Sequence, residues 1–565
     1  MASDAQTEFD PYTPKPNFYT KHPDIVWSVS VFLLTVVLTV GSFPPFPAAE
    51  FGYAFAAPAI FWAYLQPRFR LYAGTVLLAQ AVSWTIVLGW LHHVTWVGLF
   101  LLGPFIGVWV GLWYLAVWWA IPRMRGKQTG LRIFAMFGLA AAWVLLEWTR
   151  TWFLTGFPWL PLAASQWQRS VVLQIAAYTG ASGVSFILIA FNIGFAAYAH
   201  RLFREKQKGL RKRSPEFMAA LLALMFPSFL LIGDMFHQER QPLTRVAVVQ
   251  PDIPQTVKWD PSKSDFIFDT LGGLTARAAK SSPDFILWPE ASTPFAVKGQ
   301  PQVQAWTESL VRAVKTPLVL GSVSFENLDT PNERWYNGVF VVDPASGLQS
   351  ASYAKQHLVP FGEYVPLRPL LGWIKKFVEV GGDATPGDST APLVVATRSG
   401  AVAIGALVCY EDIFSKISRE EAASGADLLA VVTNDAWYGH GAAAYQHAAH
   451  SVLRAVETRR PVVRCGNNGW SGWIDEFGGI RKVMTQKISD ERDTVYFRGT
   501  TTFNITRDAR WVGRQSYYTE HGDWFIAACA LLAIAAGVVL FVGKPAEPIA
   551  TDPNASDESA IPPPF

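Results

Sequence analysis

Cysteine is nearly missing from this chain: Cys409, Cys465 and Cys529 are the only three in 565 residues. Three thiols cannot build a disulfide framework. Charge is scarce and balanced, at 16% of residues with a net of +3, so nothing points to a nucleic-acid partner. There is no Gly-rich phosphate loop, which argues against a nucleotide cofactor. His440, His447 and His450 fall close together and the last two share a helical face, yet no third ligand follows at a site-like spacing. No metal is therefore expected, and no cofactor. The segment before residue 25 carries Asp4, Glu8 and Asp10 and lacks the pattern of a cleavable signal peptide, so the first apolar run reads as an anchor.

What the chain has in abundance is apolar length, with 51% of its residues hydrophobic. Apolar runs fall at 25–41, 48–65, 71–90, 96–120, 132–149, 171–200, 217–234 and 524–543. A helix of about 20 such residues spans a bilayer, and only the second run, interrupted by Pro58, is a poor candidate. The expectation is seven spans, a large polar domain and an eighth span. Cations mark every second loop: Lys15 and Lys21, then Arg68 and Arg70, then Arg123, Arg125, Lys127 and Arg132. The series ends in the run Arg201, Arg204, Lys206, Lys208, Arg211, Lys212 and Arg213. Cytoplasmic loops are the basic ones, so residues 1–24 are expected inside, 25–234 in the membrane and 235–522 outside. Residues 523–543 return through the membrane, and the Pro-, Ala- and Ser-rich stretch 544–565 reads as a disordered cytoplasmic tail.

The texture changes between about residues 243 and 505. Short β-branched runs begin at Arg245, Asp284, Pro317, Gly338, Val402, Asp427 and Pro461, with helical patterns over 263–280, 301–316 and 442–459. Continuous apolar strands alternating with helices indicate sheets covered on their faces. Reactive groups then belong at strand ends.

Three side chains sit in such places: Glu290 in Leu-Trp-Pro-Glu, Lys355 after a hairpin turning at Pro344-Ala-Ser-Gly347, and Cys409 in Leu-Val-Cys-Tyr-Glu-Asp. Singly, a loop Glu or Lys is ordinarily a solvated charge, and a Cys after Leu-Val is ordinarily core. Together they supply covalent acyl chemistry. The carboxylate takes the thiol proton, the thiolate attacks a carbonyl and the ammonium stabilises the oxyanion. Glu363 and Glu411 are accessory candidates, either to orient Lys355 or to hold a water or amine. Arg150 is an isolated outer cation suited to a phosphate, with Glu147 at near-helical spacing as a possible partner. Trp152, Phe157, Trp159 and Trp259 are candidates for acyl contact or for a belt at the interface.

These segments resemble the motifs of the carbon–nitrogen hydrolase (nitrilase) superfamily, and within it the apolipoprotein N-acyltransferase family, over residues 25–543. The resemblance rests on Gln250-Pro-Asp-Ile-Pro-Gln-Thr-Val-Lys-Trp259, on the contexts of Glu290, Lys355 and Cys409, and on Glu363 and Glu411. Thr433-Asn-Asp-Ala-Trp-Tyr-Gly439, Asn467-Asn-Gly469, Glu147-Trp-Thr-Arg150 and Gly156-Phe-Pro-Trp159 add to it. It implies a multi-domain membrane protein, an all-α bundle of seven spans plus one carrying an extracytoplasmic α-β-β-α sandwich. It also implies Glu290 as base, Lys355 as oxyanion lysine and Cys409 as nucleophile, with Asn337 and Tyr410 as further accessory residues. Gly156, Phe157, Trp159, Trp259 and Arg150 become substrate-binding expectations. The implied reaction moves an sn-1 acyl group from a phospholipid to the amine of a diacylglyceryl apolipoprotein, in a monomer of the bacterial inner membrane. Cys465 departs from the usual small residue before the Asn pair and raises the question of pairing with Cys409. Two other functions use the same parts: a membrane-anchored amidase or nitrilase in which water attacks the acyl-enzyme, and a scaffold with a degenerate hydrolase domain.

Overall fold

The computed structural model describes residues 22–204, 214–237, 239–371, 383–398, 400–489 and 492–543. The cations Lys15, Lys21, Lys206, Lys208, Arg211, Lys212 and Arg213, and the tail from 544, lie outside the described residues.

Among the described residues, six helices are long and apolar enough to cross a membrane: Pro23–Gly41, Trp96–Met124, Thr129–Thr149, Ala181–Arg204, Pro215–Asp234 and Trp524–Val542. Phe69–Val87 is 19 residues long but less apolar. The second expected span is not one continuous helix. It consists of a 3₁₀ turn, Ala49–Tyr53, and an eight-residue helix, Ala57–Tyr64, which rises only about 12 Å. Pro58 sits at the start of that helix, where its missing N–H costs nothing, and the apolar run before it is broken by Gly52 and the turn. The run at 171–200 also divides, into the short turns Ser170–Leu173 and Ala176–Thr179 and the helix Ala181–Arg204.

Small residues set the helix spacing. Gly103, Gly107 and Gly111 recur at every fourth position of Trp96–Met124 and face Phe69–Val87. A Cβ on Gly107 would overlap the Gln80 carbonyl and the Ala81 backbone. This spacing lets two membrane helices approach to backbone contact, where dispersion and not water release drives association. The C-terminal helix Trp524–Val542 packs on Thr129–Thr149, with Gly138 against Ala536 and Cys529 buried in the seam.

Among the described residues the polar region forms two six-stranded sheets. The strands are β1 (Arg240–Gln250), β2 (Phe285–Leu287), β3 (Leu318–Glu326), β4 (Arg334–Asp343), β5 (Gly347–Ala354), β6 (Leu393–Thr397), β7 (Gly400–Val408), β8 (Leu428–Thr433), β9 (Val462–Gly466), β10 (Gly472–Ile474), β11 (Ile480–Val483), β12 (Gln486–Ser489), β13 (Arg492–Thr494) and β14 (Gly499–Asp508). One sheet runs β14-β1-β2-β3-β4-β5 and the other β11-β10-β9-β8-β7-β6, with β12 and β13 as a separate ribbon. Parallel pairs form the heart of each: β1, β2 and β3 in the first, β7, β8 and β9 in the second.

Alternation along the strands separates two cores. Val246, Val248, Val339 and Val341 face the second sheet, while Ala247, Val249, Phe340 and Val342 face the helices Ser264–Ala279 and Pro301–Val314. This is the period-2 pattern of a sandwich with a helical outer layer. On the far side of the second sheet, Ala442–Thr458 is buried at almost every position, because the membrane bundle covers the face that the sheet does not. Gln446 joins the two parts. Its Oε1 accepts from the Trp90 and Trp159 indoles, both at 2.9 Å, and its Nε2 donates to the Pro44 and Val87 carbonyls.

Gly107→Val is expected to push Trp96–Met124 off Phe69–Val87 and destabilise the bundle by about 1–3 kcal/mol. Thermal unfolding in detergent reads it as a lowered midpoint, whereas Gly74→Val, where a Cβ meets nothing within 4 Å, leaves the midpoint nearly unchanged.

Candidate active site

Register brings the predicted residues to one edge of the sandwich. Glu290 lies just past the carboxyl end of β2. β3 runs antiparallel to β4 with Val323 opposite Asn337, and β4 pairs with β5 with Gly338 opposite Ala354. The end of β3, the start of β4 and the end of β5 therefore share that edge, and Lys355 follows directly. Its N–H donates to the Asn337 carbonyl at 2.8 Å. Cys409 follows β7 in the facing sheet and opens the 3₁₀ turn Cys409–Ile413 with φ +55°. A left-handed φ at a non-glycine residue stores strain that its surroundings must hold.

The side chains converge and are buried. Lys355 Nζ lies 3.0 Å from Glu363 and 3.8 Å from Glu290 Oε1. Asn337 Nδ2 donates to Glu290 Oε1 at 2.8 Å and to Glu363 Oε1 at 3.0 Å. Glu290 Oε2 has no hydrogen-bond partner among the described residues, so one oxygen of this carboxylate is open to a proton. Burial works against the Lys355 ammonium, but Glu363, Glu290 and Cys409 outweigh it and hold the lysine charged well above its ordinary range. Cys409 is 5% exposed. Burial, and then the charge of Glu290, push its thiol up, while Lys355 pulls it down. The thiol is thus protonated at neutral pH, and its proton must leave during the reaction.

Glu411 reaches the loop that carries Lys355 without touching Lys355 itself. It accepts from the N–H groups of Val408, Gln356 and His357 and from the Tyr353 hydroxyl. Burial pushes it up to about 7, and the Val408 N–H, Lys355 and the other two N–H groups oppose that rise. Four donors fit an ionised carboxylate best. Tyr410 donates to the Leu358 carbonyl at 2.7 Å, and its ring lies 5.3 Å from Lys355 Nζ.

Beneath Cys409 lies a charge-balanced group with no solvent exposure. Arg464 pairs with Asp412 and Asp435, and His447 stands between the same carboxylates at 2.9 and 3.0 Å. His447 Nε2 is also 3.2 Å from the Cys409 carbonyl. Burial and Arg464 disfavour a charged imidazole, yet the two carboxylates prevail and raise its proton affinity. Only the helical placement of His447 was visible in the sequence. Asp412 and Asp435 lay inside the quoted motifs with no role of their own, and Arg464 gave no signal beyond charge in an apolar strand. A further lysine, Lys258, donates to the Glu290 carbonyl at 2.9 Å. It sits inside the motif ending at Trp259, and an ammonium in an otherwise uncharged turn was the available clue.

Two residues expected to bind substrate lie buried at the joint between bundle and sandwich. Arg150 is 5% exposed: its guanidinium donates to the Phe157 and Trp159 carbonyls and lies over the Trp84 ring. Trp159 is 1% exposed, stacked with Phe157 and bonded to Gln446. Both brace the joint between bundle and sandwich, because the loop after Thr129–Thr149 folds under Ala442–Thr458 and not outward. Glu147 accepts from the Leu162 N–H at 2.7 Å in the same joint. Gly156, at φ +88°, turns the loop where a Cβ would overlap the Thr151 carbonyl. Trp259 is half exposed beside the site. Cys465 is a free thiol held between the sheets, donating to the Val249 and Leu287 carbonyls.

Glu411→Gln keeps the shape but turns an amide NH₂ toward donors. The expected result is a loss of about 1–3 kcal/mol of stability, together with slower alkylation of Cys409 by iodoacetamide, read by peptide mass spectrometry.

The family model described as carbon-nitrogen hydrolase matches residues 245–516, and the one described as apolipoprotein N-acyltransferase N-terminal domain matches 36–194. An apolipoprotein N-acyltransferase of Geobacter metallireducens is 33% identical over 446 residues, covering 76% of this chain and 79% of its own. One from Brucella melitensis is 32% identical, covering 77% and 84%. One from Methylococcus capsulatus is 30% identical, covering 79% and 86%. Among solved structures, an amidase from Nesterenkonia sp. AN1 aligns at 18% identity and TM-score 0.35, over 51% of this chain and 99% of that one. On the sequence relationship, which runs through both the membrane helices and the sandwich, the chain belongs to the apolipoprotein N-acyltransferase family.

Proposed function

We propose that this protein moves the sn-1 fatty acyl group of a phospholipid, through a thioester on Cys409, to the free α-amino group of a diacylglyceryl-cysteine at the start of an apolipoprotein. One observation carries the reading. A thiol, a carboxylate with an open oxygen and a buried ammonium meet at the sandwich edge, in a domain braced against an apolar helical bundle. Relatives named for this activity match across both parts.

In the first half-reaction Glu290 takes the Cys409 proton as sulfur attacks the ester carbonyl. Lys355 faces the oxyanion; one such preorganised donor is worth about 3 kcal/mol of barrier. The ester C–O bond breaks, and Glu290 returns the proton to the departing lysophospholipid. In the second, the acceptor amine attacks the thioester, Glu290 takes its proton, and the C–S bond breaks to restore the thiol. Asn337 and Glu363 keep Glu290 and Lys355 in place, and Glu411 and Tyr410 fix the loops on which Lys355 and Cys409 sit.

The substrates are themselves membrane components, so a tethered site gains by proximity. His357 Nε2 lies 3.1 Å from the Thr155 carbonyl, linking the loop after Lys355 to the loop at the bundle's edge. Leu154, Phe361 and Leu367 expose apolar surface on these two loops and, with Trp259, offer contacts for acyl chains. The assignment places 235–522 on the periplasmic side of a bacterial inner membrane, with residues 1–24 and 544–565 in the cytoplasm, and takes the enzyme to act as a monomer.

Incubation with phospholipid alone is expected to add one fatty acyl mass to the intact protein, and a diacylated lipopeptide with a free amine is expected to remove it as N-acyl peptide. Cys409→Ala is expected to show neither. Free fatty acid without N-acylated peptide would favour hydrolysis, and an unacylated wild-type protein would end the proposal.

A further inference from the structure

Lys258 is 2% exposed, and its ammonium lies beside the reacting groups. Its Nζ donates to the Glu290 backbone carbonyl at 2.9 Å and is 6.0 Å from the Trp259 ring. The charges that act on it come from two elements: Glu290, after β2 in one sheet, and Cys409, after β7 in the other. Lys355 and Glu363, paired with each other, complete the charged set around Glu290.

The segment that delivers Lys258 is anchored to the second sheet. The Asp252 N–H donates to the Asn467 carbonyl at 2.7 Å, and the Ile253 N–H donates to Asn467 Oδ1 at 3.1 Å. Asn467 Nδ2 returns a bond to the Ile253 carbonyl and another to Asn434 Oδ1, while Asn434 Nδ2 donates to Gln255 Oε1 at 2.8 Å. Three motifs, around Gln250–Trp259, Thr433–Gly439 and Asn467–Gly469, thus form one brace. The turn Gln255–Lys258 is the end of that brace nearest the site.

We propose that Lys258 is a positioning residue for the acyl transfer assigned above: it holds the backbone of the base Glu290 and balances the site's negative charge while Cys409 ionises. The inference rests on that assignment and adds a second cation to it. Formal charge shows the need. Glu290 and Glu363 carry two negative charges and Lys355 one positive, so the site is short of one cation before the thiol gives up its proton. Lys258 makes the four charges sum to zero. Burial pulls its ammonium down to about 8, with Glu290 and Cys409 acting in the opposite direction. Below that pH the lysine is charged; above it the charge is lost and the thiolate is left uncompensated.

The test measures the single-turnover rate at which Cys409 is acylated by dipalmitoyl phosphatidylglycerol in dodecyl maltoside micelles, from pH 6 to pH 10, by intact mass. Wild-type acylation is expected to fall as pH rises through about 8. Lys258→Met is expected to be at least about tenfold slower at pH 7, since each unit of thiol pKa is tenfold in thiolate, and to lose that alkaline fall. Lys258→Arg is expected to stay near wild type at pH 7 with the fall displaced upward by a unit or more, because a guanidinium keeps its charge. A Lys258→Met rate within twofold of wild type overturns the proposal. So does a slow Lys258→Met and an equally slow Lys258→Arg with the alkaline fall unmoved, which marks a merely structural lysine. If Lys258→Met fails to fold, the Arg variant alone decides by the position of its alkaline fall. If the wild type itself takes up no acyl group, the functional assignment fails, and iodoacetamide alkylation of Cys409 still decides the lysine's role. There a tenfold slower Lys258→Met at pH 7 supports it, and equal rates overturn it.

Discussion

Burying an ammonium is costly unless carboxylates meet it, and the geometry around Lys355 follows from that constraint. The desolvation penalty for each ion amounts to several kcal/mol. It is offset here by Glu363 at 3.0 Å, by Glu290 at 3.8 Å and by Asn337, whose single amide nitrogen serves both carboxylates. Because Asn337 saturates one oxygen of Glu290 and leaves the other open, the arrangement that stabilises the ion also presents a proton acceptor. Stability and chemistry are met by the same contacts, and removing Lys355 would leave two buried carboxylates without their shared cation.

The nucleophile depends on a second group of buried ions. Cys409 occupies a left-handed backbone position at the end of β7, and such strain persists only where the surroundings over-determine it. Asp412, three residues on, is held by Arg464 from β9 and by His447 from Ala442–Thr458. Asp435, from the turn after β8, binds the same two cations. Four segments are thereby locked under one turn. The two positive and two negative charges balance, so the set adds no net field to a thiol that already sits near Glu290.

Much of this was legible in the sequence where physics acts locally. Runs such as Val402-Ala-Ile-Gly-Ala-Leu-Val read as strands because β-branched and apolar residues suit a doubly covered sheet, and 301–316 read as a helix because its apolar positions repeat at helical spacing. Glu290 and Cys409 were legible because each follows such a run, and Lys355 because it follows the hairpin turning at Pro344-Ala-Ser-Gly347. What depended on tertiary packing was not. Arg150 and Trp159 carry no mark that distinguishes a residue facing solvent from one folded under Ala442–Thr458, and only the three-dimensional path of the loop decides between them. The run at 48–65 has a span's composition, yet Gly52 and Pro58 divide it into a 3₁₀ turn and an eight-residue helix. Lys258 stood in the sequence only as one member of the motif ending at Trp259. Its meaning appears only when Asn467 and Asn434, some two hundred residues away, are seen to hold that turn.

The joint between bundle and sandwich bears on why transfer would prevail over hydrolysis under the proposed reading. A thioester that lets water in is lost before an amine arrives. Cys409 is almost wholly enclosed, and the helix that carries His447 is covered by the bundle on the side the sheet leaves free. Gln446 closes that contact with four hydrogen bonds, two from indoles and two to the Pro44 and Val87 carbonyls. On the two loops joined through His357, Leu154, Phe361 and Leu367 expose an apolar border that favours a lipid-bearing substrate over bulk solvent. An acceptor whose own acyl chains lie along that border brings its amine to the thioester and displaces water as it binds. On this argument the membrane helices do more than tether the sandwich: they help to decide which nucleophile reaches the acyl-enzyme.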